Sequence, residues 1–490
     1  MKLRLVSSAV GHCVTEAPAG ESLSRAIWLA GQVRAQPLCG GQGRCGRCRV
    51  RWLEHAPNPL PEEESVLSPQ ALAAGWRLAC RRTVPDGPGE LALELLPENF
   101  APPVPEQPDK GRRDATDGLC LAVDLGTTSL YWQAVCPARG SADDATVTVV
   151  GQGHLLNPQA GAGPDVVSRL ALARDVRERA RLAGLVRAEL ARLVREWKAE
   201  AICLAANPAM TAIFLGADVE GLCAAPYRLD IAGHEFAGRE QTAHAAHETV
   251  CLPELPPVYI PPLPAPFVGG DVSAGLAALL AADTPRPFVL ADLGTNGELA
   301  LVTETDELFL TSVPLGPALE GIGPECGQLA GPDVLTSFSL TPQGLAGHSP
   351  DAASGPARGI SATGYLSLLA LLRQAGLMDE SGLFVEDAAQ GFGRPCMPLA
   401  RKVAQNFCHE RGGTYLRLPR GQWLTAADVE ELLKVKAAFA LALEALLGAA
   451  GLAPGGLACL CLAGALGEHI CPNVLEQLGF VPSGLSRRIR

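Results

Sequence analysis

Leu119-Cys120-Leu121-Ala122-Val123-Asp124-Leu125-Gly126-Thr127-Thr128-Ser129 is an apolar run that ends in an acidic residue and a Gly-Thr turn. It returns 168 residues later as Phe288-Val289-Leu290-Ala291-Asp292-Leu293-Gly294-Thr295-Asn296-Gly297-Glu298. Each copy leads into a further apolar stretch, so the pattern predicts strand, tight turn, strand in both places. A phosphate needs backbone N–H and hydroxyl donors in such a turn. Gly126, Thr127 and Thr128 supply them in the first copy, and Gly294, Thr295, Asn296 and Gly297 in the second. Asp124 and Asp292, at strand ends, suit the hydration shell of a nucleotide's Mg²⁺. One such turn also occurs in ordinary hairpins, but two predict duplicated lobes closing on one nucleotide. A third piece, Leu460-Cys461-Leu462-Ala463-Gly464-Ala465-Leu466-Gly467, reads as an apolar strand running into a Gly-x-x-Gly turn, where Gly464 and Gly467 leave room for a nucleoside. The helix before it begins at a capping-box-like Thr425-Ala-Ala-Asp428.

Toward the N-terminus, Cys39, Cys45 and Cys48 stand in Cys-x5-Cys-x2-Cys spacing in a Gly-rich run, and Cys80 follows after 31 residues. Four thiolates with three in one such loop form the ligand set of a [2Fe–2S] cluster. Gly40, Gly41, Gly43 and Gly46 let the loop turn tightly and aim N–H groups at sulfur. Structural zinc is the alternative, but its knuckles usually pair Cys-x2-4-Cys twice. Arg44, Arg47, Arg49 and Arg51 flank the loop, and Arg77, Arg81 and Arg82 flank Cys80. They read either as solvated surface or as a basic rim for an acidic redox partner.

Residues 1–98 carry a net charge of +1 and residues 118–490 one of −12. The Pro-rich, charged segment between them predicts four parts: a ferredoxin-type domain 1–98, a linker 99–117, lobe I 118–286 and lobe II 287–490. A second Pro-rich stretch, 252–266, reads as a structured connection between the lobes. The 490-residue chain is 48% apolar and 19% charged, which excludes a disordered protein. An acidic balance without a Lys/Arg tract argues against nucleic acid. Glu444 and Pro454-Gly455-Gly456 interrupt the most apolar stretch, 437–467, so no membrane span is expected. Sixteen cysteines without an apolar leader point to a reducing, cytoplasmic setting. Residues 176–198 place Leu182, Leu185, Val186, Leu190, Leu193, Val194 and Trp197 on one helical stripe.

The three nucleotide pieces resemble the actin, Hsp70 and sugar-kinase (ASKHA) superfamily, and residues 1–98 resemble adrenodoxin-like ferredoxins. The fold class expected is an α+β, β-grasp [2Fe–2S] domain followed by a two-lobed α/β ATPase. That combination resembles the reductive activators of corrinoid-dependent enzymes. Matching patches include Asn157-Pro158-Gln159, Asp165-Val166-Val167-Ser168-Arg169 and Phe267-Val268-Gly269-Gly270-Asp271-Val272-Ser273. The resemblance implies a [2Fe–2S] cluster on Cys39, Cys45, Cys48 and Cys80, with ATP and Mg²⁺ at the turns. It implies catalytic roles for Asp124, Asp292 and Glu298, and places Asn296 and Asn207 near the phosphates. Ser361-Ala362-Thr363-Gly364 and Ala465-Leu466 depart from the family's usual Cys-Gly-Ser-Gly and Gly-Gly-Phe-Gly.

The activity implied is ATP-driven transfer of one electron to the cob(II)amide of a corrinoid methyltransferase protein. The uphill electron explains the ATP: at one electron each tenfold in equilibrium is about 59 mV. No Gly-x-Gly-x-x-Gly after a strand signals a bound flavin or nicotinamide, so an external low-potential donor is implied. Neither nucleic acid nor a membrane is an expected partner, and a homodimer is left open. Two rivals remain from the residues alone: a small-molecule kinase, or an ATP-sensing redox adaptor, each with an appended ferredoxin domain.

Overall fold

A computed structural model describes the chain apart from residues 8–10, 31–40, 42, 44–45, 47, 96–117, 138–146, 164, 230–247, 251, 295, 316, 321–322, 329, 352–354, 387–396 and 410–412. Its residues fall into two compact units, Met1–Ala274 and Gly275–Arg490. The linker expected at 99–117 lies outside the described residues.

The first unit begins with β1 (Lys2–Ser7), β2 (Gly11–Glu16), α1 (Leu23–Leu29), β3 (Arg49–Trp52), α2 (Pro61–Val66), α3 (Pro69–Ala73), β4 (Trp76–Leu78) and β5 (Glu90–Leu95). The strand order β2-β1-β5-β3-β4, with β1 and β5 parallel, is a β-grasp sheet. Alternation along β1 drives it: Leu3 and Leu5 are buried against Leu23, Ile27, Leu78 and Leu93.

The same unit continues with β6 (Cys120–Leu125), β7 (Ser129–Pro137), β8 (Val147–Leu156), α4 (Val166–Ala173), α5 (Val176–Trp197), β9 (Ala201–Ala206), α6 (Pro208–Leu215), α7 (Glu220–Cys223), β10 (Glu248–Val250), β11 (Val258–Ile260) and the start of α8 (Gly270–Ala281). Its sheet runs β10-β11-β9-β6-β7-β8. Leu121, Val123 and Leu125 alternate into a core with Leu182, Val186, Leu190 and Leu193 of α5, so the helical stripe packs as its spacing requires. α6 is buried all round, and its first turn is capped by the Asn207 side chain. The Pro-rich stretch around Val258-Tyr259-Ile260 is no inter-lobe connection: β11 pairs in parallel with β9 inside this sheet. Prolines flank the three-residue strand and leave its own N–H groups intact for the ladder.

In the second unit β12 (Phe288–Leu293), β13 (Asn296–Val302) and β14 (Leu308–Pro314) form an antiparallel meander, and the strand Cys459–Ala463 lies parallel to β12. The first unit has the same sequence of pairings, β8-β7-β6 antiparallel and β9 parallel to β6. The duplicated turn thus sits in a duplicated sheet. α9 (Ala362–Ala375), α10 (Met397–Ala404) and α11 (Ala426–Ala449) contribute Leu369, Val403 and Leu443 to a core shared with Val289 and Leu301. α11 starts at a capping box in which Thr425 accepts from the Asp428 N–H and Asp428 accepts from the Thr425 N–H. Ser361-Ala362-Thr363-Gly364 is the start of α9: the Ser361 hydroxyl accepts from the Gly364 N–H at 3.2 Å.

Candidate functional site

Of the four expected cluster ligands, Cys48 and Cys80 are described, while Cys39 and Cys45 lie outside the described residues. Cys48 immediately precedes β3 and Cys80 follows β4 by two residues; Arg49 pairs with Leu78, so both thiols stand at the same end of this ladder. The Ala79 N–H donates to the Cys48 carbonyl at 3.0 Å, which fixes the two segments together. Gly41, Gly43 and Gly46 hold φ of +83°, +78° and +65°, and a Cβ at Gly41 would lie 3.9 Å from Cys80 Cβ. A Gly-rich loop that folds back over Cys80 through left-handed backbone fits a cluster-wrapping loop.

The arginines beside Cys80 are not a free basic rim. Glu63 of α2 is fully buried. It accepts from the N–H groups of Leu60 and Leu78 at 2.9 Å and from Arg82 at 2.9 and 2.5 Å. Burial works to raise the Glu63 carboxyl, but Arg82 and the two N–H groups outweigh it and hold the carboxyl below its usual range. Arg77 is buried too, donating to the carbonyls of Pro57, Leu72 and Trp76. Arg81 pairs with Glu62, and Arg51 with Glu94. Arg44 and Arg47 lie outside the described residues. Arg77 and Arg82 are thus bound into the frame that carries Cys80, while Arg81 stays exposed in its pair with Glu62.

In the first unit the turn after β6 is tight: a Cβ at Gly126 would lie 2.9 Å from the Ser129 carbonyl oxygen. Thr127 and Thr128 are buried. Asn207 Nδ2 donates to Thr127 Oγ1 at 3.1 Å, which ties the turn to the end of β9. Asn157 is fully buried and does the same from the other side. Its N–H donates to the Thr128 carbonyl at 2.8 Å and its Nδ2 to the Gly126 carbonyl at 2.7 Å. Asp124 stands at the end of β6 and reaches solvent. Loss of hydration there, and next the neighbouring charge of Asp271, push its carboxyl up to about 7. Burial raises Asp271 likewise, against hydrogen bonds from the backbone of Val272, of Asp271 itself and of Gly269. Gly269 brings α8 in: a Cβ there would lie 2.3 Å from the Ala206 carbonyl. Two neighbouring carboxyls beside turn N–H groups and hydroxyls suit a cation held beside a phosphate.

In the second unit Asp292 pairs with Glu298 across β12 and β13, which puts both carboxylates on one face of the ladder, Glu298 buried. The corresponding partner of Asp124 in the first unit is Tyr131. The Gly294 N–H donates to the Asn296 carbonyl at 3.0 Å and closes the turn, while Thr295 lies outside the described residues. Gly464 follows the strand beside β12 with φ +81°, and a Cβ on it would lie 2.6 Å from Asp292 Oδ1. The third sequence piece is thereby brought against the end of β12, where the second Gly-Thr turn begins. Residues Gly464–His469 form a helical turn, so Gly467 lies within a short helix where the sequence reads as an open turn.

Asn157, Arg169 and Asp271 were present in the sequence only as patch residues without roles. Arg169 is fully buried, donating to the Gly163 carbonyl at 3.0 Å, with Nη1 3.3 Å from Met210 Sδ; Met210 Sδ is also 3.9 Å from Asn157 Nδ2. The usable signal was polarity in an apolar setting: Asn after β8, and an acid after Gly-Gly at the start of α8. Among the described residues no group of three or more His, Cys, Asp or Glu is placed to hold a metal, and no helix is long and apolar enough to cross a membrane.

Three family profiles match this chain: a 2Fe-2S iron-sulfur cluster binding domain at residues 10–85, the RACo middle region at 119–282, and the C-terminal, ASKHA domain of RACo at 286–490. The corrinoid activation enzyme RamQ of Eubacterium limosum is 24% identical over 380 residues, 74% of this chain and 60% of the relative. The [Co(II) methylated amine-specific corrinoid protein] reductase of Methanosarcina barkeri is 24% identical over 401 residues, 75% of this chain and 66% of the relative. The match therefore spans less than two thirds of either relative's length. A solved structure titled reductive activator for corrinoid,iron-sulfur protein superposes with a TM-score of 0.60 at 20% identity, covering 99% of this chain and 90% of that one; it shares the fold.

Proposed function

The chain belongs to the RACo family, and from that premise we propose that it is an ATP-hydrolysing activator that passes one electron from its [2Fe–2S] cluster to the cob(II)amide of a corrinoid methyltransferase protein. The observation that carries this reading is that one chain joins a Cys48/Cys80 ligand edge to two phosphate turns on duplicated sheets. Cys39, Cys45, Cys48 and Cys80 hold the cluster, which supplies a one-electron carrier when bound. Buried Glu63, with Arg77 and Arg82, keeps Cys80 in register with β3.

The backbone N–H groups and hydroxyls of Gly126, Thr127 and Thr128, and the turn Gly294–Gly297, bind ATP phosphates. Asp124 and Asp292 hold the hydration shell of Mg²⁺, and Glu298 orients the attacking water. Asp271, beside Asp124, adds a second carboxyl, and a bound cation would displace the proton that burial and the like charge favour on Asp124. Gly464 and Gly467 accommodate the adenosine. Closure on ATP and release after hydrolysis biases the partner's conformation. The division into 1–98, 99–117, 118–286 and 287–490 follows these roles. The electron comes from an external low-potential donor, and the setting is the cytoplasm.

The test is anaerobic reduction of a cob(II)amide protein by a low-potential chemical donor. Cobalt(I) is expected in the optical spectrum only while Mg-ATP is hydrolysed. Cys45→Ser is expected to keep ATP turnover and lose reduction, and Asp124→Ala to keep a reducible cluster and lose reduction. Reduction at an equal rate without nucleotide, across several corrinoid partners, overturns the proposal. Phosphate transfer to a metabolite would instead support a kinase, and full activity with a non-hydrolysable analogue a passive adaptor.

A further inference from the structure

Trp28 belongs by sequence to the ferredoxin domain, but its ring is buried in the core of the neighbouring lobe with Leu121, Val123 and Leu182. It is 5% exposed. Its indole N–H donates to the Pro158 carbonyl at 3.0 Å. The ring lies flat on Gly161, where a Cβ would come within 2.4 Å of it, so only glycine admits the contact. Three residues earlier on α1, Arg25 pairs with Glu178 of α5 at 2.9 Å. Directly after α1 the chain enters the segment carrying Cys39, Cys45 and Cys48.

The seat under Trp28 is part of the phosphate turn's own support. Pro158 follows Asn157, whose N–H and Nδ2 are bonded to the Thr128 and Gly126 carbonyls. Asn157 Oδ1 accepts from the Gln159 N–H at 2.8 Å, its carbonyl accepts from Ala160 at 2.9 Å, and Gln159 Nε2 donates to the Leu182 carbonyl at 3.1 Å. The Asn157–Ala162 segment therefore has little freedom of its own. A shift of the Gly126–Thr128 carbonyls must move Pro158, and with it the acceptor of the Trp28 bond.

We propose that Trp28 is a positioning residue that couples occupancy of the Gly126–Thr128 turn to the seating of the ferredoxin domain. A phosphate held by the turn's N–H groups fixes the opposite carbonyls where Asn157 needs them, so nucleotide binding and seating reinforce each other. By linkage the effect is reciprocal: a loosened seat weakens nucleotide binding by the same factor that nucleotide tightens the seat. The inference rests on the assignment of that turn to ATP phosphates.

The experiment uses the full chain with its cluster. Hydrogen exchange of residues 23–29 and 157–162 is measured with and without Mg-ATP, and ATP affinity is measured for wild type, Trp28→Phe and Trp28→Ala. Mg-ATP is expected to slow exchange in both segments. Trp28→Ala should weaken ATP binding about fivefold or more, a typical coupling. Trp28→Phe, which keeps a ring and loses the N–H donor, should fall between. ATP that binds wild type while exchange at 23–29 stays unchanged overturns this inference and leaves the assigned activity standing. Unchanged affinity in Trp28→Ala overturns it equally. ATP that fails to bind wild type overturns both.

Discussion

Asp124 and Glu63 are both carboxyls that the fold shifts from their ordinary range, in opposite directions. Glu63 meets Arg82 and two N–H groups and stays ionised. Asp124 loses hydration, next feels the charge of Asp271, and holds its proton up to about pH 7. The unfolded chain releases that proton near pH 4, so the ligand-free protein is expected to lose stability as pH rises from about 4 to 7 and to level off above. Mg²⁺ competes with the same proton, so Mg-ATP turnover should fall as pH drops through about 7. Asp271→Asn removes the like charge and should move that midpoint to lower pH, read from the pH–turnover profile. A midpoint that stays put would show that Asp271 does not face Asp124 in solution. At Glu63, Glu63→Ala leaves buried Arg77 and half-buried Arg82 without their counter-charge and should cost about 3 kcal/mol or more in denaturant unfolding of the cluster-loaded protein. Glu62→Ala, whose pair with Arg81 is exposed, should cost under about 1 kcal/mol.

Among the elements, the two strand–turn–strand units, the capping box of α11 and the stripe of α5 were legible in the sequence, because each is specified by residues within one or two turns of one another. The arginines around Cys80 were not. Whether Arg82 is solvated or buried depends on Glu63, 19 residues away, and no local period announces that pairing. The stretch 252–266 misled for a related reason: prolines marked its ends, while Val258-Tyr259-Ile260 between them had the alternation of a strand too short to stand out. Of the candidate site, the acids and turn glycines were legible as a repeated string, whereas Asn157 and Asp271 act through contacts that fold distant segments together. Gly464 illustrates an element whose role is purely spatial. Gly464→Ala would place a Cβ against Asp292 and strain a left-handed backbone. It is expected to lower ATP turnover at least about tenfold, and the strained backbone should cost about 1 kcal/mol or more in unfolding. Normal turnover in that variant would detach the third sequence piece from the phosphate turn.

Across the whole molecule, the proposed iron–sulfur and nucleotide sites belong to separate sheets, so they are expected to fail separately. Cys80→Ser should abolish the visible and EPR signals of the anaerobically purified protein and retain ATP hydrolysis. Asp292→Ala should do the reverse. A normal cluster spectrum in Cys80→Ser would reject the ligand assignment. Cys459→Ser should alter neither readout, because Cys459 and Cys461 are buried in a strand of the second unit.

That burial has a consequence for how the protein is made. The chain has sixteen cysteines, and the proposed cluster takes four of them. Burial holds the Cys120 and Cys203 thiols above their ordinary range, and burial together with Cys459 pushes Cys461 up to about 12. A thiol that keeps its proton is a poor ligand and a poor nucleophile. Burial in the two cores therefore leaves Cys120, Cys203 and Cys461 protonated and poorer competitors for iron than the thiols of the loop near the N-terminus are expected to be.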